Sequence, residues 1–431
     1  MSGKKFDLLV GRTHYLKGVI QAPASKSYTT RAIIIGSLGK RARIINPLIC
    51  DDTLAAIKTW QRLGAVVKKE EGELEVKGLN GKIILKSNSI NVGESGTLLR
   101  LMLPILALGK GRYTVDGKGT LLKRPNRPMA EALRSLGVGI EGRDEDFRLP
   151  ITIEARGEIT GGKVKVSGRI SSQTISSLLN VAPFANEDIT IIVEDKLVSW
   201  PYIDITIDVL KTAGIRVKEQ GSRKFFVASG QKFKPKAEFF IHGDYSSAAF
   251  LMAACCLVKS DVTITDLVKD KQGDREIINI LHKMGAGISY RDNSVRIKGP
   301  FDLRGIDINC RNTPDLVPVL CVLGCFAKGV TRIFDIGHLA YKESNRITSP
   351  TKELKKMGAD IEMCSNGLII KQSVLRPACV RSYADHRIAM ALAVSGLRVG
   401  EVRIQDASCI SKSYPDFILD FNSLGAMIKK I

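Results

Sequence analysis

Aromatic residues are scarce in this chain of 431 residues, where Phe, Tyr and Trp together make up only 6%. No window alternates Lys or Arg with aromatic rings, so the sequence does not predict a stacking surface for single-stranded nucleic acid. The longest apolar stretches, around residues 98–108 and 250–258, fall short of the ~18 residues typical of a membrane helix. The first residues carry Lys without a following apolar run, which disfavours a signal peptide. We therefore expect a cytoplasmic protein without a membrane or nucleic-acid partner.

The cysteines lack the pattern of a disulfide framework. There are nine, an odd number scattered through apolar segments, which favours reduced thiols. Cys321 and Cys325 would share one helix face, but neither a His nor a second Cys pair lies at metal-ligand spacing. The five His residues are equally dispersed. We expect no metal site and no cofactor.

Basic residues clearly outnumber acidic residues in the sequence. Lys and Arg number 65 against 44 Asp and Glu, for a formal net charge of +21. This excess predicts attraction for anions, whether nucleic acid, an anionic membrane or acidic metabolites. Apolar residues make up 44% of the chain, enough for ordinary cores. At ~100–200 residues per domain, the length predicts two or three domains.

One pattern recurs six times along the chain. In each copy an amphipathic helix ends in a small apolar residue and Gly, and a strand follows. Gly is a common helix C-cap because it adopts the left-handed conformation at little cost. Repetition at a near-constant interval predicts six similar units. The six glycines are Gly64, Gly137, Gly214, Gly285, Gly358 and Gly425, at intervals of 67 to 77 residues.

A second helix in each unit is apolar on nearly all sides and must therefore be interior. Its opening residues are hydroxyl, acidic or amide side chains that can cap a helix. Strands, a buried helix and a covering helix in each unit predict an α/β architecture. The segment 232–236 lies between the third and fourth units and is the predicted linker between two domains of three units. The six openings begin at Lys26, Ser95, Ser171, Asp244, Thr313 and Asp385.

These helix openings suggest a function. If three buried helices per domain point their N-termini at one interdomain cleft, their N–H groups and dipoles converge on an anion site. Each helix end contributes only ~0.3–1 kcal/mol on an exposed surface, so several ends and cationic side chains are needed. The alternative is that these residues only cap their helices, which is their commonest role.

Three motifs supply cations or close backbone approach at these openings. Lys26 lies at a predicted helix start, where a cation is unfavourable unless an anion is nearby. Gly96 follows a Gly-rich turn that allows a ligand to approach the backbone. Arg124 lies in an extended, Pro-containing segment, and Arg127 offers a second possible register. The alternative for these charges is a solvated position on the surface.

Two further motifs lie nearer the C-terminus. Lys342 and Arg346 are four residues apart and would share a helix face if the segment is helical. An exposed ion-pair ladder is the ordinary alternative. His386 and Arg387 follow Asp385 at the start of an otherwise apolar helix, where charged groups favour an anionic partner.

In their order and spacing, these motifs resemble the 5-enolpyruvylshikimate-3-phosphate synthase family. Seven ordered motifs over essentially the whole chain are far more specific than any one of them. The resemblance implies two domains, each with three βαβαββ units around buried helices: residues 22–238, and residues 239–431 together with 1–21. The motifs are Lys26-Ser27 with Arg31, Gly96-Thr97 with Arg100, Arg124-Pro125, Ser171-Ser172-Gln173, Lys342-Glu343 with Arg346, Asp385-His386-Arg387, and Lys412.

The implied reaction transfers the enolpyruvyl group of phosphoenolpyruvate to the 5-hydroxyl of shikimate 3-phosphate through a tetrahedral intermediate. Two highly charged anions then lie side by side, which requires fixed cations rather than a metal. The resemblance implies Asp315 as base for the hydroxyl, Glu343 as proton donor to C3, and Lys26 as an aid to proton transfer. The division of these roles between the two half-reactions stays open.

The resemblance also implies two sets of binding residues. In the second set below, Arg346 and Arg387 suit bidentate capture of a carboxylate. The set for shikimate 3-phosphate is Lys26, Ser27, Arg31, Ser171, Ser172, Gln173, Ser199, Tyr202, Asp315, His338 and Lys342. The set for phosphoenolpyruvate is Lys26, Gly96, Arg124, Gln173, Arg346, His386, Arg387 and Lys412.

The chain departs from the usual family pattern at several positions. Glu94-Ser95 stands where many members have Asn-Ala, which brings an extra carboxylate to the expected phosphate site. Leu101 replaces a common proline, Asn345 replaces an aspartate, and His338 stands where some members have asparagine. Gly96 suggests room for the inhibitor glyphosate, but Glu94 and Leu101 leave sensitivity to it open.

Two other functions compete with this one. The related transferase that acts on UDP-N-acetylglucosamine usually has Lys-Asn where Lys26-Ser27 stands, and a reactive Cys in the loop before Arg124. Residues 117–122 contain no Cys. RNA 3′-terminal phosphate cyclase is built from similar units and suits the positive charge, but not the seven motifs. We expect small-molecule substrates and a monomer.

Overall fold

Two compact units divide the chain in the computed structural model, which describes residues 5–83 and 88–431. The central unit is Ala24–Ile241, and the terminal unit combines the residues up to Pro23 with His242–Ile431. The segment 232–236 is not the linker, so that prediction is wrong. The strand that follows it, Ala237–Phe240, pairs with Arg41–Ile45 and therefore keeps this part of the chain in the central unit.

The first two strands belong to the terminal unit although they open the chain. Strand β1 (Leu8–Val10) pairs antiparallel with two strands near the C-terminus. Strand β2 (Leu16–Gln21) pairs parallel with Ser260–Thr265. The chain then enters the central unit and returns to the terminal unit at His242.

The central unit alternates helices and strands throughout. Its helices are α1 (Lys26–Leu38), α2 (Asp51–Arg62), α3 (Gly96–Leu106), α4 (Arg127–Ser135), α5 (Gln173–Val181) and α6 (Pro201–Thr212). Its strands are β3 (Arg41–Ile45), β4 (Val66–Glu70), β5 (Glu73–Lys77), β6 (Ser89–Asn91), β7 (Lys110–Asp116), β8 (Gly139–Gly142), β9 (Ile151–Arg156), β10 (Gly162–Val166), β11 (Ile189–Val193), β12 (Lys218–Gln220), β13 (Lys224–Val227) and β14 (Ala237–Phe240).

The terminal unit repeats the same alternation. Its helices are α7 (Tyr245–Leu257), α8 (Ile277–Lys283), α9 (Val317–Phe326), α10 (Thr348–Lys356), α11 (His386–Val399) and α12 (Phe417–Ser423). In addition to β1 and β2, its strands are β15 (Ser260–Thr265), β16 (Ile288–Arg291), β17 (Ser294–Ile297), β18 (Asp307–Asn309), β19 (Val330–Phe334), β20 (Asp360–Cys364), β21 (Gly367–Lys371), β22 (Cys379–Arg381), β23 (Val402–Gln405) and β24 (Ile428–Lys430).

The described strands form six four-stranded sheets with one shared topology. Each sheet joins one parallel pair to two antiparallel pairs, as the βαβαββ order requires. This confirms the prediction of an α/β protein with two groups of three such units. The sheet orders are β14-β3-β5-β4, β6-β7-β9-β8 and β10-β11-β13-β12 in the central unit, and β2-β15-β17-β16, β18-β19-β21-β20 and β22-β23-β1-β24 in the terminal unit.

The odd-numbered helices are the buried ones. Every residue of α7 is buried, as are the residues of α1 from Tyr28 to Leu38. Each fully buried Leu, Ile, Phe or Met contributes ~1.5–3 kcal/mol, so these helices anchor their units. Side-chain oxygens cap four of these helices: Ser25 caps α1, Ser95 caps α3, Asp244 caps α7 and Asp385 caps α11. The capping role weighed as the alternative function therefore holds for Ser95, Asp244 and Asp385, whereas the cap of α1 is Ser25, one residue before its predicted opening.

The six glycines of the repeat all end covering helices in the left-handed region, with φ between 78° and 103°. After each of them, the next residue donates its backbone N–H to a carbonyl five residues earlier, as in Ala65 to Trp60 and Ala426 to Phe421. This is the Schellman arrangement, and it turns the chain out of the helix into the next strand. Among the described residues, no helix is both long and apolar enough to span a membrane.

Candidate active site

Arg346 is the centre of an ionic cluster in the terminal unit, although its guanidinium is almost fully buried. Its Nε donates to Oδ2 of Asp385 at 2.8 Å and its Nη2 to Oδ1 at 3.1 Å, so the two groups form a bidentate pair. Its Nη1 donates to Asp315 at 2.6 Å and its Nη2 also to Glu343 at 2.8 Å. Three carboxylates therefore converge on one buried cation.

Helix geometry explains why Asp385 can hold Arg346. Asp385 is the N-cap of α11, and its carboxylate accepts the backbone N–H of Arg387 at 3.0 Å. The hydroxyl of Ser344 also donates to it, at 3.0 Å. A carboxylate at a helix N-terminus is stabilised by the dipole and by the free N–H groups. Asp385 is fully buried, so this satisfaction of its oxygens is necessary.

Arg387 lies on the first turn of α11 beside the same cluster. Its Nη2 is 3.2 Å from Asp315 and 3.8 Å from Asp244, and its guanidinium carbon lies 5.9 Å from the ring centre of Phe250. Its Nε and Nη1 are buried and have no hydrogen-bond partner among the described residues. Those two donors are available to an incoming anion.

The charges of this cluster change the acidity of Asp315. Burial alone would raise the pKa of its carboxyl, but Arg387, Arg346 and Lys342 together outweigh burial and lower that pKa well below its usual range. Asp315 precedes α9, which begins only at Val317 and is not capped by Asp315. Its carboxylate is therefore left to pair with the two arginines.

Asp274, which was not predicted from the sequence, lies near Asp315 and Arg387. Its carboxyl is buried and accepts the hydroxyl of Ser246 at 2.5 Å, while its Oδ1 has no partner among the described residues. Burial and the neighbouring Asp315 raise its pKa to about 7, against the opposing effects of Ser246 and Arg387. Asp244, Asp385 and Asp274 each precede or begin a helix, and only the first two carried a sequence signal, as helix caps.

The segment 342–347 corrects one sequence expectation. Lys342 and Arg346 do not share a helix face, because a 3₁₀ turn ends at Tyr341 and α10 begins only at Thr348. Glu343 and Arg346 instead pair across an irregular turn. His338 is buried within that 3₁₀ turn, and Lys342 follows it.

Lys412 and His386 complete the predicted residues of the terminal unit. Lys412 is largely buried and its Nζ donates to the carbonyl of Ala384 at 3.0 Å, one residue before the cap of α11. His386 is buried, with Nδ1 3.9 Å from Oδ1 of Asp385. Both side chains are thus tied to the start of α11, where Arg387 also lies.

In the central unit, Lys26 is the first residue of α1 and forms an ion pair with Asp52. Its Nζ donates to Asp52 at 3.0 Å, and Asp52 lies in the first turn of α2. The electrostatic problem noted in the sequence, a cation at the positive end of a helix, is thereby relieved by a residue of the protein.

Arg31 lies one turn further along α1 and is almost fully buried. Its Nε donates to the hydroxyl of Thr206 at 2.7 Å, and its terminal nitrogens donate to the carbonyls of Ser27 and Tyr202 at 3.1 Å each. Burial lowers the pKa of Arg31 to about 10. The structure therefore brings together Ser27, Arg31 and Tyr202 from the predicted shikimate 3-phosphate set.

Gly96 and Arg124 are in close contact at the start of α3. A Cβ at Gly96 would lie 2.5 Å from Nη1 of Arg124, so a larger residue would force this largely buried guanidinium to move. Arg127, the rival register, instead pairs with Glu145 on the surface. The structure thus places Arg124, and not Arg127, against Gly96, which is predicted to bind the phosphate of phosphoenolpyruvate.

Gln173 begins α5 and forms hydrogen bonds with two residues of α3. It donates to the hydroxyl of Thr97 at 3.0 Å and accepts from Nη1 of Arg100 at 2.8 Å. Arg100 belongs to a family motif but was not assigned to the site, and in the structure it orients Gln173.

The three serines predicted for phosphate binding lie near helix starts in the central unit. Ser171 accepts the backbone N–H of Gln173 at 3.2 Å, and Ser172 is buried at the N-cap of α5. Ser199, with φ of 57°, precedes α6, and its hydroxyl is buried without a partner among the described residues. Such backbone strain is frequent at ligand sites.

Comparison with known proteins decides the family. The family model described as EPSP synthase (3-phosphoshikimate 1-carboxyvinyltransferase) matches residues 10–421. The chain belongs to the EPSP synthase family. The resemblance inferred from the motifs is confirmed.

Relatives and solved structures of EPSP synthases match nearly the full chain. A 3-phosphoshikimate 1-carboxyvinyltransferase of Methanocaldococcus jannaschii is 42% identical over 98% of this chain and 99% of its own. One of Methanosarcina mazei is 38% identical over 96% and 97%, respectively. A structure of EPSP synthase from Acinetobacter baumannii superposes with a TM-score of 0.84 at 25% identity, covering 99% of this chain and 100% of that one.

Proposed function

We propose that the chain uses these residues to transfer the enolpyruvyl group of phosphoenolpyruvate to the 5-hydroxyl of shikimate 3-phosphate, with release of phosphate. As a member of the EPSP synthase family it is a 3-phosphoshikimate 1-carboxyvinyltransferase, an enzyme of aromatic amino acid biosynthesis. Both substrates are small anions, in keeping with the net charge of +21. The observation that carries the mechanism is the convergence of Asp315, Glu343 and Asp385 on Arg346, with Arg387 alongside.

The carboxylate of phosphoenolpyruvate is assigned to Arg387 and Arg346. Arg387 offers two buried donors, Nε and Nη1, which a planar carboxylate can accept. Arg346 directs four of its five N–H donors to three carboxylates, so a substrate carboxylate forms a bidentate pair with it only by displacing one of them. Asp385 is the least replaceable because it is bidentate and caps α11. Glu343 or Asp315 is therefore the group that moves.

This displacement accounts for the basicity of Asp315. A carboxylate with a strongly lowered pKa is a poor base for an alcohol. When the substrate carboxylate takes over contacts with Arg387 and Arg346, the charges that lower the pKa of Asp315 are partly neutralised and that pKa rises. Asp315 therefore becomes an effective base only after phosphoenolpyruvate has bound.

The proton movements follow from these assignments. The 5-hydroxyl oxygen adds to C2 of phosphoenolpyruvate while Asp315 takes the hydroxyl proton and Glu343 gives a proton to C3. In the second half-reaction Glu343 takes a proton back from C3, the C2–C3 double bond forms again, and the bond from C2 to the phosphate oxygen breaks with its electron pair leaving on phosphate, which takes the proton held by Asp315. Lys26 is assigned to assist proton transfer.

The central unit is assigned the phosphate-binding groups. Ser171, Ser172 and Ser199 are proposed to bind the phosphate of shikimate 3-phosphate, and Ser27 with Arg31 its carboxylate. Hydroxyl groups and helix N-termini are suited to this task because they donate without adding charge. Lys26, Gly96, Arg124, Gln173 and Lys412 are proposed to bind the phosphate of phosphoenolpyruvate. Tyr202, His338 and Lys342 are assigned to shikimate 3-phosphate and His386 to phosphoenolpyruvate.

A steady-state assay of phosphate release from phosphoenolpyruvate tests the proposed function. We expect turnover with shikimate 3-phosphate and none with UDP-N-acetylglucosamine. Turnover only with UDP-N-acetylglucosamine would overturn the choice of acceptor. If the chain instead releases no phosphate from phosphoenolpyruvate but cyclises RNA ends with ATP, the proposed reaction class is wrong. Mass measurement by light scattering tests the proposal that the chain is a monomer.

A further inference from the structure

A strained turn leads into α11. Tyr383 and Ala384 have φ of 56° and 54°, two consecutive non-glycine residues in the left-handed region. L-residues with side chains rarely adopt this conformation, and such strain persists only when the surroundings hold it in place.

This turn delivers two contacts to the candidate active site. The residue that follows it, Asp385, makes the bidentate pair with Arg346. The carbonyl of Ala384 accepts a hydrogen bond from the ammonium group of Lys412 at 3.0 Å. A change in the path of the turn would therefore move both a carboxylate partner of Arg346 and the anchor of Lys412.

Glu353 of α10 holds the turn from behind. Its Oε1 accepts the hydroxyl of Tyr383 at 2.5 Å, and its Oε2 accepts the backbone N–H of Arg381 at 2.9 Å. Lys356 donates to Oε2 at 2.6 Å. Glu353 thus binds the chain at Arg381, before the strained pair, and at Tyr383, the first residue of that pair.

Glu353 is a buried charge that the proposed mechanism does not use. Its side chain is fully buried, whereas Lys356 is 38% exposed. Burial opposes its ionisation, but the hydrogen bonds from Lys356, Tyr383 and Arg381 prevail and lower its pKa. A carboxylate in such a place is costly unless its oxygens are satisfied, and here two of the three donors come from Tyr383 in the turn and from Arg381 at the end of β22 just before it.

We propose that Glu353 is a positioning residue for the phosphoenolpyruvate half of the site. By clamping Tyr383 and Arg381, it sets where Asp385 meets Arg346 and where Ala384 meets Lys412. The proposal rests on the function assigned above, because Arg346 and Lys412 are given their ligand through it.

The test compares Glu353→Gln and Tyr383→Phe with the parent chain. Both variants loosen the clamp without touching any group assigned to a substrate. We expect kcat/KM for phosphoenolpyruvate to fall by about tenfold or more, since misplacement of about 1 Å can cost about a hundredfold. We expect KM for shikimate 3-phosphate to change less than twofold, because its phosphate is assigned to the central unit.

A matched variant separates positioning from stability. Lys356→Met removes a partner of Glu353 but leaves the bonds to Tyr383 and Arg381, so it should lower the thermal midpoint and leave both KM values unchanged. Exposed Glu362→Gln on β20 controls for loss of charge.

The proposal is wrong if both clamp variants keep kcat/KM for phosphoenolpyruvate within twofold of the parent, or if Lys356→Met has the same kinetic effect as they do. Absence of turnover in the parent chain would instead reject the proposed function, so the two failures are distinguishable.

Discussion

The two units hold their buried arginines in different ways. In the terminal unit Arg346 is surrounded by three carboxylates, and Arg387 lies next to two. In the central unit Arg31 is held by a hydroxyl and two backbone carbonyls, and Arg100 by the amide oxygens of Asn126 and Gln173 and the carbonyl of Pro125. Neutral partners orient a guanidinium without cancelling its charge, whereas carboxylates cancel the charge and can themselves exchange protons.

This difference matches the division of labour that we propose. A doubly charged phosphate gains most from cations whose field is intact, and carboxylates nearby would repel it. Acid–base chemistry needs carboxylates whose pKa changes when a ligand arrives. Arg31 and Arg100 of the central unit have the first kind of environment, and Arg346 and Arg387 of the terminal unit have the second, whereas Lys26 of the central unit is itself paired with Asp52.

The strongest test of this comparison removes the carboxylates of the terminal unit. Asp315→Asn and Glu343→Gln should each lower kcat by ~10²–10⁴ because a positioned acid or base is lost. Substrate affinity, measured by equilibrium binding, should survive. Asp307→Asn, on the surface of the same unit, serves as the control, since exposed ion pairs contribute little. An unchanged kcat in either variant removes that residue from the mechanism.

The second test compares two neighbouring arginines of the central unit. Arg124→Gln should lower kcat/KM for phosphoenolpyruvate by ~10²–10³, the cost of removing one charge-stabilising donor from a site. Arg127→Gln should stay within twofold of the parent, because Arg127 pairs with Glu145 at the surface. Steady-state kinetics on the purified pair provide the measurement. The reverse ranking would favour Arg127 as the residue that binds the phosphate.

A smaller effect is expected from Gly96→Ala. The added Cβ would lie 2.5 Å from Nη1 of Arg124, so the guanidinium must shift. KM for phosphoenolpyruvate should rise on the order of tenfold, and the substitution should cost much less when Arg124 is already Gln, since contacting residues are not additive. Equal effects in both backgrounds would argue that Gly96 acts independently of Arg124.

The smallest effect concerns stability and pH. The folded pKa of Asp274 is raised to about 7 from 3.8, so the folded state holds a proton that the unfolded state releases. Its contribution therefore destabilises the fold increasingly as pH rises from about 4 to 7. Asp274→Asn removes this titration. The thermal midpoint of the variant relative to the parent should be higher at pH 8 than at pH 5, and a constant difference would contradict the raised pKa.

Sequence patterns predicted most of the architecture because the signals are local. The six C-cap glycines, such as Gly64 and Gly425, act on the turn in which they lie, and all six have the predicted conformation. The linker was misplaced because its Lys- and Pro-rich composition says nothing about β14, which pairs with β3. The shared helix face of Lys342 and Arg346, which depended on a helical segment, is absent because residues 342–347 form an irregular turn in which Arg346 pairs with Glu343.

By itself, the sequence determined the number of units, the alternation of buried and covering helices, and the family to which the motifs belong. Tertiary structure alone decided which charges meet. Asp274, Asp315, Glu343 and Asp385 come from different turns of the terminal unit, and nothing in their spacing shows that three of them reach one guanidinium. Helix caps and repeats depend on neighbours along the chain, whereas ion pairs of this kind depend on how separate repeats pack.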